Sequence, residues 1–143
     1  MSHCCCLEKK IVTTNKAPKA VGPYSVAASA GQLVFTAGQL GLIPETGVMV
    51  EGGIQAQTRQ ALSNLAVVLE ASGSDLDHVL KVTVFLHDIA DFTAMNKIYA
   101  EFFKGDCPAR SAVQVAALPK QGLVEIEAIG LIPCDCDCDC QSD

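Results

Sequence analysis

The sequence predicts an α+β domain in which one mixed β-sheet carries two helices on a single face. The apolar pattern runs along the chain in the order strands, helix, strand, helix, two strands. A length of 143 residues suits a single domain with its own core. A disulfide framework would spread its cysteines through the fold, but only Cys107 of the eight lies in the body of the chain. The domain is therefore expected to be held by its core.

The two ends of the chain differ in composition from the body. Residues 1–10 contain a cysteine triplet and are expected to form a disordered lead-in, and residues 11–132 are expected to form the single domain. Residues 133–143 alternate Cys and Asp and are expected to form a disordered tail. The thiols of the tail could instead ligate Zn or Cu(I), and the N-terminal triplet could be acylated. No metal is predicted at the functional site itself.

The charge and hydropathy of the chain restrict its partners. The formal net charge is -6, and without the four tail aspartates 12 acidic side chains face 10 basic ones. No Lys/Arg cluster is present, which argues against nucleic acid as a partner. No apolar run reaches the roughly 20 residues of a membrane span, and the first 30 residues lack a secretory signal. We expect a soluble cytoplasmic protein, and an amphipathic mitochondrial leader is also compatible with the sequence.

Turn residues divide the first part of the chain into a β-meander. A Gly-Pro turn within residues 20–24 exposes Tyr24. A strand is predicted over residues 32–37, closed by Gly38, and residues 44–47 form a tight turn with glycine at its last position. The apolar pair at residues 11–12 could form a short edge strand.

Helical periodicity marks two segments. Residues 53–72 repeat apolar side chains at helical spacing, and Gly73 ends the helix. The predicted polar side is formed mostly by Gln55, Gln57, Arg59, Gln60 and Glu70. Residues 91–103 form the second helix, with Asp91 as the expected N-cap. Its predicted buried stripe consists of Phe92, Met95, Tyr99, Phe102 and Phe103.

Three further strands complete the predicted sheet. Residues 79–86 alternate as a central strand, and Leu80, Val82, Val84 and Leu86 are expected on one face of it. Residues 107–132 contain two consecutive strands joined by a turn at residues 119–122.

Arg110, Glu125 and Glu127 lie inside the apolar runs of the last two strands. Charges held out of water cost free energy unless they are paired or used on a ligand. Alternation places both glutamates on one strand face together with Leu123, Ile129 and Leu131. No third helix is available to cover that face, so we expect a second copy of the chain to do so.

The candidate chemical site combines Arg110 and Glu125 with Tyr24 and Gly38. The sequence contains no Ser-His-Asp order, no metal-spaced histidine pair and no phosphate-binding glycine motif. An arginine fork grips a carboxylate, and a half-buried glutamate can activate a water, which together suit hydrolysis of a small carboxylate. The alternative is that Arg110 only pairs with Glu125 or Glu127 and neutralises the sheet.

Seven runs of the sequence resemble those of one enzyme family. They are G-P-Y at 22–24, T-A-G-Q at 36–39, P-x-T-G at 44–47, D-F-x-x-M-N-x-I-Y-x-x-F-F at 91–103, P-A-R-S at 108–111, V-A-A-L-P-K at 115–120 and E-I-E-A-I at 125–129. Over residues 11–132 the chain resembles the RidA/YjgF reactive-intermediate deaminases. The resemblance implies a chorismate-mutase-like homotrimer with active sites in the clefts between subunits. It also implies hydrolysis of enamines and imines such as 2-aminoacrylate, released by pyridoxal-phosphate enzymes, to 2-keto acids and ammonia, without a cofactor.

The resemblance also implies roles for individual residues. Arg110 would bind the substrate carboxylate, and Glu125 would position the attacking water. The substrate-binding residues would be Tyr24, Gly38, Phe92, Asn96 and Ala112. Two positions depart from a common family pattern: Ala37 replaces a frequent Ser, and Ala112 a frequent Cys. These departures bear on substrate preference.

Two other functions are compatible with the same resemblance. Some members have been described as ribonucleases or translation inhibitors, but the acidic chain lacks a basic groove for RNA. A non-catalytic ligand-sensing or holdase trimer would use the same clefts without turnover.

Overall fold

The computed structural model describes residues 7–134, which form one sheet with two helices on one face. The strands are β1 Lys10–Val12, β2 Ala27–Ala30, β3 Leu33–Thr36, β4 Gln39–Leu40, β5 Val79–Leu86, β6 Ala109–Gln114 and β7 Val124–Leu131. The helices are α1 Gly53–Ala71 and α2 Phe92–Phe102. The strand order is β1-β2-β3-β7-β5-β6, and β4 also pairs with β7. All pairings are antiparallel except β5 with β6, so the predicted mixed sheet is confirmed.

The predicted element order is confirmed, with two additions. The strands β2 and β4 were not predicted individually, because A-A-S-A and Q-L carry little β-branched or aromatic signal. Lys10, predicted to be in the lead-in, begins β1. The cysteines of the triplet and the tail from residue 135 onward lie outside the described residues.

The two predicted C-terminal strands are not neighbours in the sheet. β5 lies between β6 and β7, pairing in parallel with the former and antiparallel with the latter. The connection between them contains the expected turn, a short 3-10 segment at Pro119–Gln121. Edge strand β6 is therefore separated from β7 by the full width of β5.

The core lies between the sheet and the helices. Alternate residues of β7, Val124, Ile126 and Ala128, are buried against it, and Glu125 and Glu127 lie on the opposite face, as predicted. The helix side of the core is contributed by Ala61, Leu62, Leu65, Val68 and Leu69 of α1 and Met95 and Tyr99 of α2.

Two local predictions were wrong. Leu80 is 49% exposed, because a β-bulge between Val79 and Lys81 shifts the alternation of β5. Gln57 is 7% exposed on the buried side of α1, where its Oε1 accepts a hydrogen bond from the Leu123 amide at 2.8 Å. Asp91 is the N-cap residue of α2, as predicted, but its side chain makes no capping hydrogen bond.

The face of the sheet away from the helices carries an exposed apolar surface. We call it the open face; it comprises Ile11, Leu33, Phe35, Phe85, Val113, Ile129 and Leu131, together with Glu125 and Glu127. Register brings Leu33 beside Leu131 and Phe35 beside Ile129. Within residues 7–134, neither helix is long and apolar enough to cross a membrane.

Candidate active site

The predicted site residues form two groups on opposite faces of the sheet. Arg110 pairs in register with Val82, which is fully buried under the helices, so the arginine faces the helix layer. Glu125 pairs with Phe85 and lies on the open face. One chain therefore does not bring Arg110 and Glu125 together.

The first group surrounds Arg110 and is called the arginine cluster: Phe92, Asn96, Tyr99 and Arg110. The Nη1 of Arg110 donates to Asn96 Oδ1 at 2.6 Å. Its guanidinium carbon lies 4.5 Å from the ring centroid of Tyr99 and 5.5 Å from that of Phe92. A guanidinium has five N–H donors, so one hydrogen bond to Asn96 leaves others for a ligand carboxylate.

Ala112 lies two residues beyond Arg110 on the same strand face. It is partly buried and packs against the core. It pairs in register with Val84, another core residue. Ala112 therefore lies on the helix side of the sheet with Arg110, on the opposite face from Glu125.

The second group lines a cavity on the open face, called the glutamate pocket. Its volume is about 710 Å³. Glu125, Tyr24 and Gly38 all line it, together with Pro18, Lys19, Val21, Val26, Ala37, Gln39, Leu40, Leu42, Pro44, Glu45, Thr46, Gly47, Pro119 and Lys120. Tyr24, Gly38 and Glu125 thus meet as predicted.

The Glu125 side chain lies where the strand beside β7 is interrupted. β3 pairs with β7 at residues 129–131 and β4 at residues 125–126, and Ala37 and Gly38 separate the two. The Thr36 hydroxyl accepts from the Ala128 amide at 3.0 Å, which replaces a backbone hydrogen bond at the break. A Cβ on Gly38 would lie 2.8 Å from Glu125 Cδ, so any larger residue would require the Glu125 side chain to move from this position.

The environment of Glu125 makes its carboxylate bind a proton more readily than an exposed one. Burial raises the pKa of the Glu125 carboxyl above its ordinary value of 4.5, and the neighbouring Glu127 charge raises it further. A carboxylate with a raised pKa is a stronger base than an exposed one. Glu125 is therefore suited to take a proton from water.

Tyr24 is presented by the predicted Gly-Pro turn. Its side chain is 50% exposed, and its hydroxyl accepts from the Val21 amide at 3.3 Å. The Tyr24 amide donates to Gly22 O at 2.9 Å, and Gly22 has a φ of 132°, which favours glycine. The turn holds the aromatic ring at the wall of the glutamate pocket.

The alternative that Arg110 neutralises the sheet glutamates is wrong for the single chain. Among the described residues, Arg110 forms an ion pair with neither Glu125 nor Glu127, whereas Arg59 pairs with Glu101 at 2.9 Å. Arg110 instead interacts with an amide and two aromatic rings.

Comparison with known proteins identifies the family. The family model described as Endoribonuclease L-PSP matches residues 14–132. The chain belongs to the RidA/YjgF family. It is 50% identical over 126 residues to the chloroplastic Reactive Intermediate Deaminase A of Arabidopsis thaliana, covering 88% of this chain and 67% of that protein. It is 48% identical over 125 residues to the 2-iminobutanoate/2-iminopropanoate deaminase of Capra hircus, covering 87% and 91%.

Solved structures of the family share the fold. The crystal structure of E. coli TdcF with bound serine matches with a TM-score of 0.82 at 41% identity, covering 85% of this chain and 98% of that chain. The predicted α+β fold with one sheet and two helices is thus confirmed.

Sequence reasoning missed two features of the site. Tyr99 was assigned only to the buried stripe of α2, since periodicity does not reveal which ring lies under a cation. Lys120 adopts a left-handed conformation with a φ of 54°, and its Nζ donates to Gly47 O at 3.2 Å across the glutamate pocket. A lysine following a proline carries no sequence signal for such a contact.

The described residues offer no metal centre. Within residues 7–134, His, Cys, Asp and Glu side chains form no group of three that could hold a metal ion.

Proposed function

We propose that the protein hydrolyses 2-imino acids such as 2-iminobutanoate and 2-iminopropanoate, the imine forms of 2-aminoacrylate-type enamines, to 2-keto acids and ammonia. The proposal is carried by two side chains on different patches of the chain: Arg110, which can bind a carboxylate, and Glu125, which can act as a base toward water. Arg110 retains free N–H donors after its bond to Asn96. Glu125 lies half-buried in a pocket with a raised pKa.

The two groups would meet between subunits. The arginine cluster lies at edge strand β6 and the glutamate pocket near β4 and β7, so they are two different patches of one chain. Contact between unlike patches repeats around a ring when the rotation closes. In the homotrimer that we propose, each active site would combine Arg110 of one copy with Glu125 of the next. The open face would be covered in the same assembly.

The reaction then follows from the two side chains. Arg110 would hold the carboxylate of the imino acid through its planar fork. Glu125 would accept a proton from water as its oxygen attacks C2, forming a carbinolamine. That proton would pass to the nitrogen and complete the neutral carbinolamine. Glu125 would then take the hydroxyl proton and deliver it to the nitrogen, so that the C–N bond breaks, the C2–O bond becomes the keto group and ammonia leaves. Atoms and electrons balance with water as the only co-reactant, and no cofactor is proposed.

The comparisons support this choice of substrate. The related goat protein is named for 2-iminobutanoate and 2-iminopropanoate, and the TdcF structure contains serine, a small amino acid with a carboxylate. The name of the family model mentions an endoribonuclease, but 12 acidic against 10 basic side chains outside the tail do not favour RNA. A cytoplasmic location stays a prediction.

The test is hydrolysis of an imine that is generated in situ by a second enzyme. An amino-acid oxidase acting on 2-aminobutanoate supplies 2-iminobutanoate, and the rate of 2-oxobutanoate formation is followed with and without the protein. We expect acceleration by the wild type and none by Arg110→Ala. Equal rates with and without the wild type would refute the deaminase, and a non-catalytic binding trimer would then be favoured. RNA cleavage that survives Arg110→Ala would favour the nuclease.

A further inference from the structure

The guanidinium of Arg110 lies on the face of the Tyr99 ring. The distance from its central carbon to the ring centroid is 4.5 Å, which is 1.0 Å shorter than the corresponding distance to Phe92. Cations within about 6 Å of an aromatic centroid are attracted by the ring quadrupole. Tyr99 therefore provides the closer of the two aromatic contacts.

The ring of Tyr99 is itself held in place. Tyr99 is 7% exposed, and its ring centroid lies 4.6 Å from that of Phe103 at an interplanar angle of 31°. Its hydroxyl has no hydrogen-bond partner among the described residues. The side chain thus acts on its surroundings through the ring and not through the oxygen.

Tyr99 interacts with Arg110 as a neutral group. Burial raises the pKa of the Tyr99 hydroxyl to about 12, with Arg110 opposing the rise and Cys107 adding to it. At neutral pH the phenol is therefore uncharged, and it cannot compete with a substrate carboxylate for the arginine by forming an ion pair. A neutral ring can orient the guanidinium without neutralising its charge.

We propose that Tyr99 is a positioning residue, whose ring fixes the plane of the Arg110 guanidinium so that the N–H groups left by Asn96 can grip the substrate carboxylate. This inference rests on the proposed function for its kinetic consequence only. Asn96 fixes one nitrogen by a hydrogen bond, and the ring fixes the plane. Bidentate recognition needs both, because two parallel N–H···O bonds form only when the guanidinium and the carboxylate are coplanar.

The kinetic test separates the ring from the hydroxyl. We expect Tyr99→Leu to raise KM for 2-iminobutanoate about 3- to 10-fold with a smaller change in kcat, given a cation–π contribution on the order of 1 kcal/mol. Tyr99→Phe keeps the ring and should return KM to within about 2-fold of the wild type. Because Tyr99→Leu also removes packing, Ile98→Ala serves as the matched control. Ile98 is 2% exposed on the same helix, and the Arg110 side chain interacts with Asn96, Phe92 and Tyr99 instead.

The result that would overturn the inference follows from that control. If Tyr99→Leu and Ile98→Ala lower Tm alike and both leave KM unchanged, Tyr99 only packs. If Tyr99→Phe raises KM as much as Tyr99→Leu does, the hydroxyl acts and the ring does not.

A second measurement is independent of turnover. The chain has two arginines, Arg59 and Arg110, so protein labelled with ¹⁵N-arginine gives two Nε–H signals, assigned with Arg110→Lys. A guanidinium over an aromatic face experiences the ring current, so we expect an upfield Arg110 proton signal in the wild type and Tyr99→Phe. It should move toward the Arg59 position in Tyr99→Leu. If the wild type shows this shift but no deaminase activity, the proposed function fails and the positioning stands. If Tyr99→Leu leaves the signal in place, the positioning is refuted.

Discussion

Gly38 provides the space that the Glu125 carboxylate occupies. A Cβ at position 38 would lie 2.8 Å from Cδ and 2.9 Å from Cγ of Glu125, closer than carbon atoms approach without a shift. The backbone of Gly38 is not in the left-handed region, so alanine is allowed there by its dihedral angles. Contact with the Glu125 side chain, and not the backbone conformation, is therefore the reason that glycine suits this position.

We expect Gly38→Ala to give a folded protein with turnover reduced about 100-fold, the usual order for a catalytic group displaced by about 1 Å. Ammonia release and Tm are measured together. The double variant Gly38→Ala/Glu125→Ala removes the clash and should regain the Tm lost by Gly38→Ala. Full activity in Gly38→Ala would show that Glu125 works from another position.

The planar pair of N–H donors of Arg110 can be tested separately from its positive charge. Lysine keeps the charge but not the planar pair of donors, so Arg110→Lys should fold normally and be badly impaired. Arg110→Ala should lose on the order of 30- to 3,000-fold in kcat/KM, the range for truncating one partner of a buried charged contact. Steady-state kinetics with 2-iminobutanoate decides between these effects. Near-normal kcat/KM in Arg110→Lys would mean that a point charge suffices.

The pH profile should distinguish the two glutamates. Glu125 must lose its proton to act as a base, and its pKa is raised, so kcat/KM should fall with decreasing pH through a midpoint above 4.5. Because the Glu127 charge contributes to the raised pKa, Glu127→Gln should move that midpoint downward and leave kcat near the wild-type value. Glu125→Gln should lose about 100- to 10,000-fold in turnover at every pH. If Glu127→Gln is the inactive variant, the assignment of the base is wrong.

The open face should hold the subunits together. Leu131 lies there beside Leu33, so Leu131→Glu would place a charge in the proposed contact and should dissociate the homotrimer and abolish activity together. Analytical ultracentrifugation at micromolar concentration checks the mass. Ala71→Glu, at an exposed position of α1 on the helix side of the sheet, is the control and should remain assembled. A wild-type mass near 15.0 kDa, that of one chain, would refute the assembly.

Local sequence pattern predicted the helices and strands. Features that depend on tertiary arrangement could not be predicted from it. The α1 and β5 segments were predicted to within one residue, because their periodicity is uninterrupted and Gly73 ends the helix. The exposure of Leu80 was not predictable, since a bulge leaves no residue signature at that point. The faces of β7 followed from simple alternation.

The site was predicted only as a set of residues. Tyr24, Gly38 and Glu125 were expected together and are found together. Arg110 was expected near Glu125, but sequence order does not show that β5 enters between β6 and β7. The contact of Tyr99 with Arg110 depends on how α2 lies across β6, which periodicity alone leaves undetermined.

In the proposed homotrimer, where Arg110 and Glu125 of each active site come from different copies, two defective genes should be able to rescue each other. A chain carrying Arg110→Lys still supplies the wild-type Glu125, and a chain carrying Glu125→Gln still supplies the wild-type Arg110. When the two are co-expressed and assemble at random in a ring, about one junction in four pairs the sound halves, so about a quarter of wild-type activity should return. Mixing the separately purified proteins without subunit exchange should restore none.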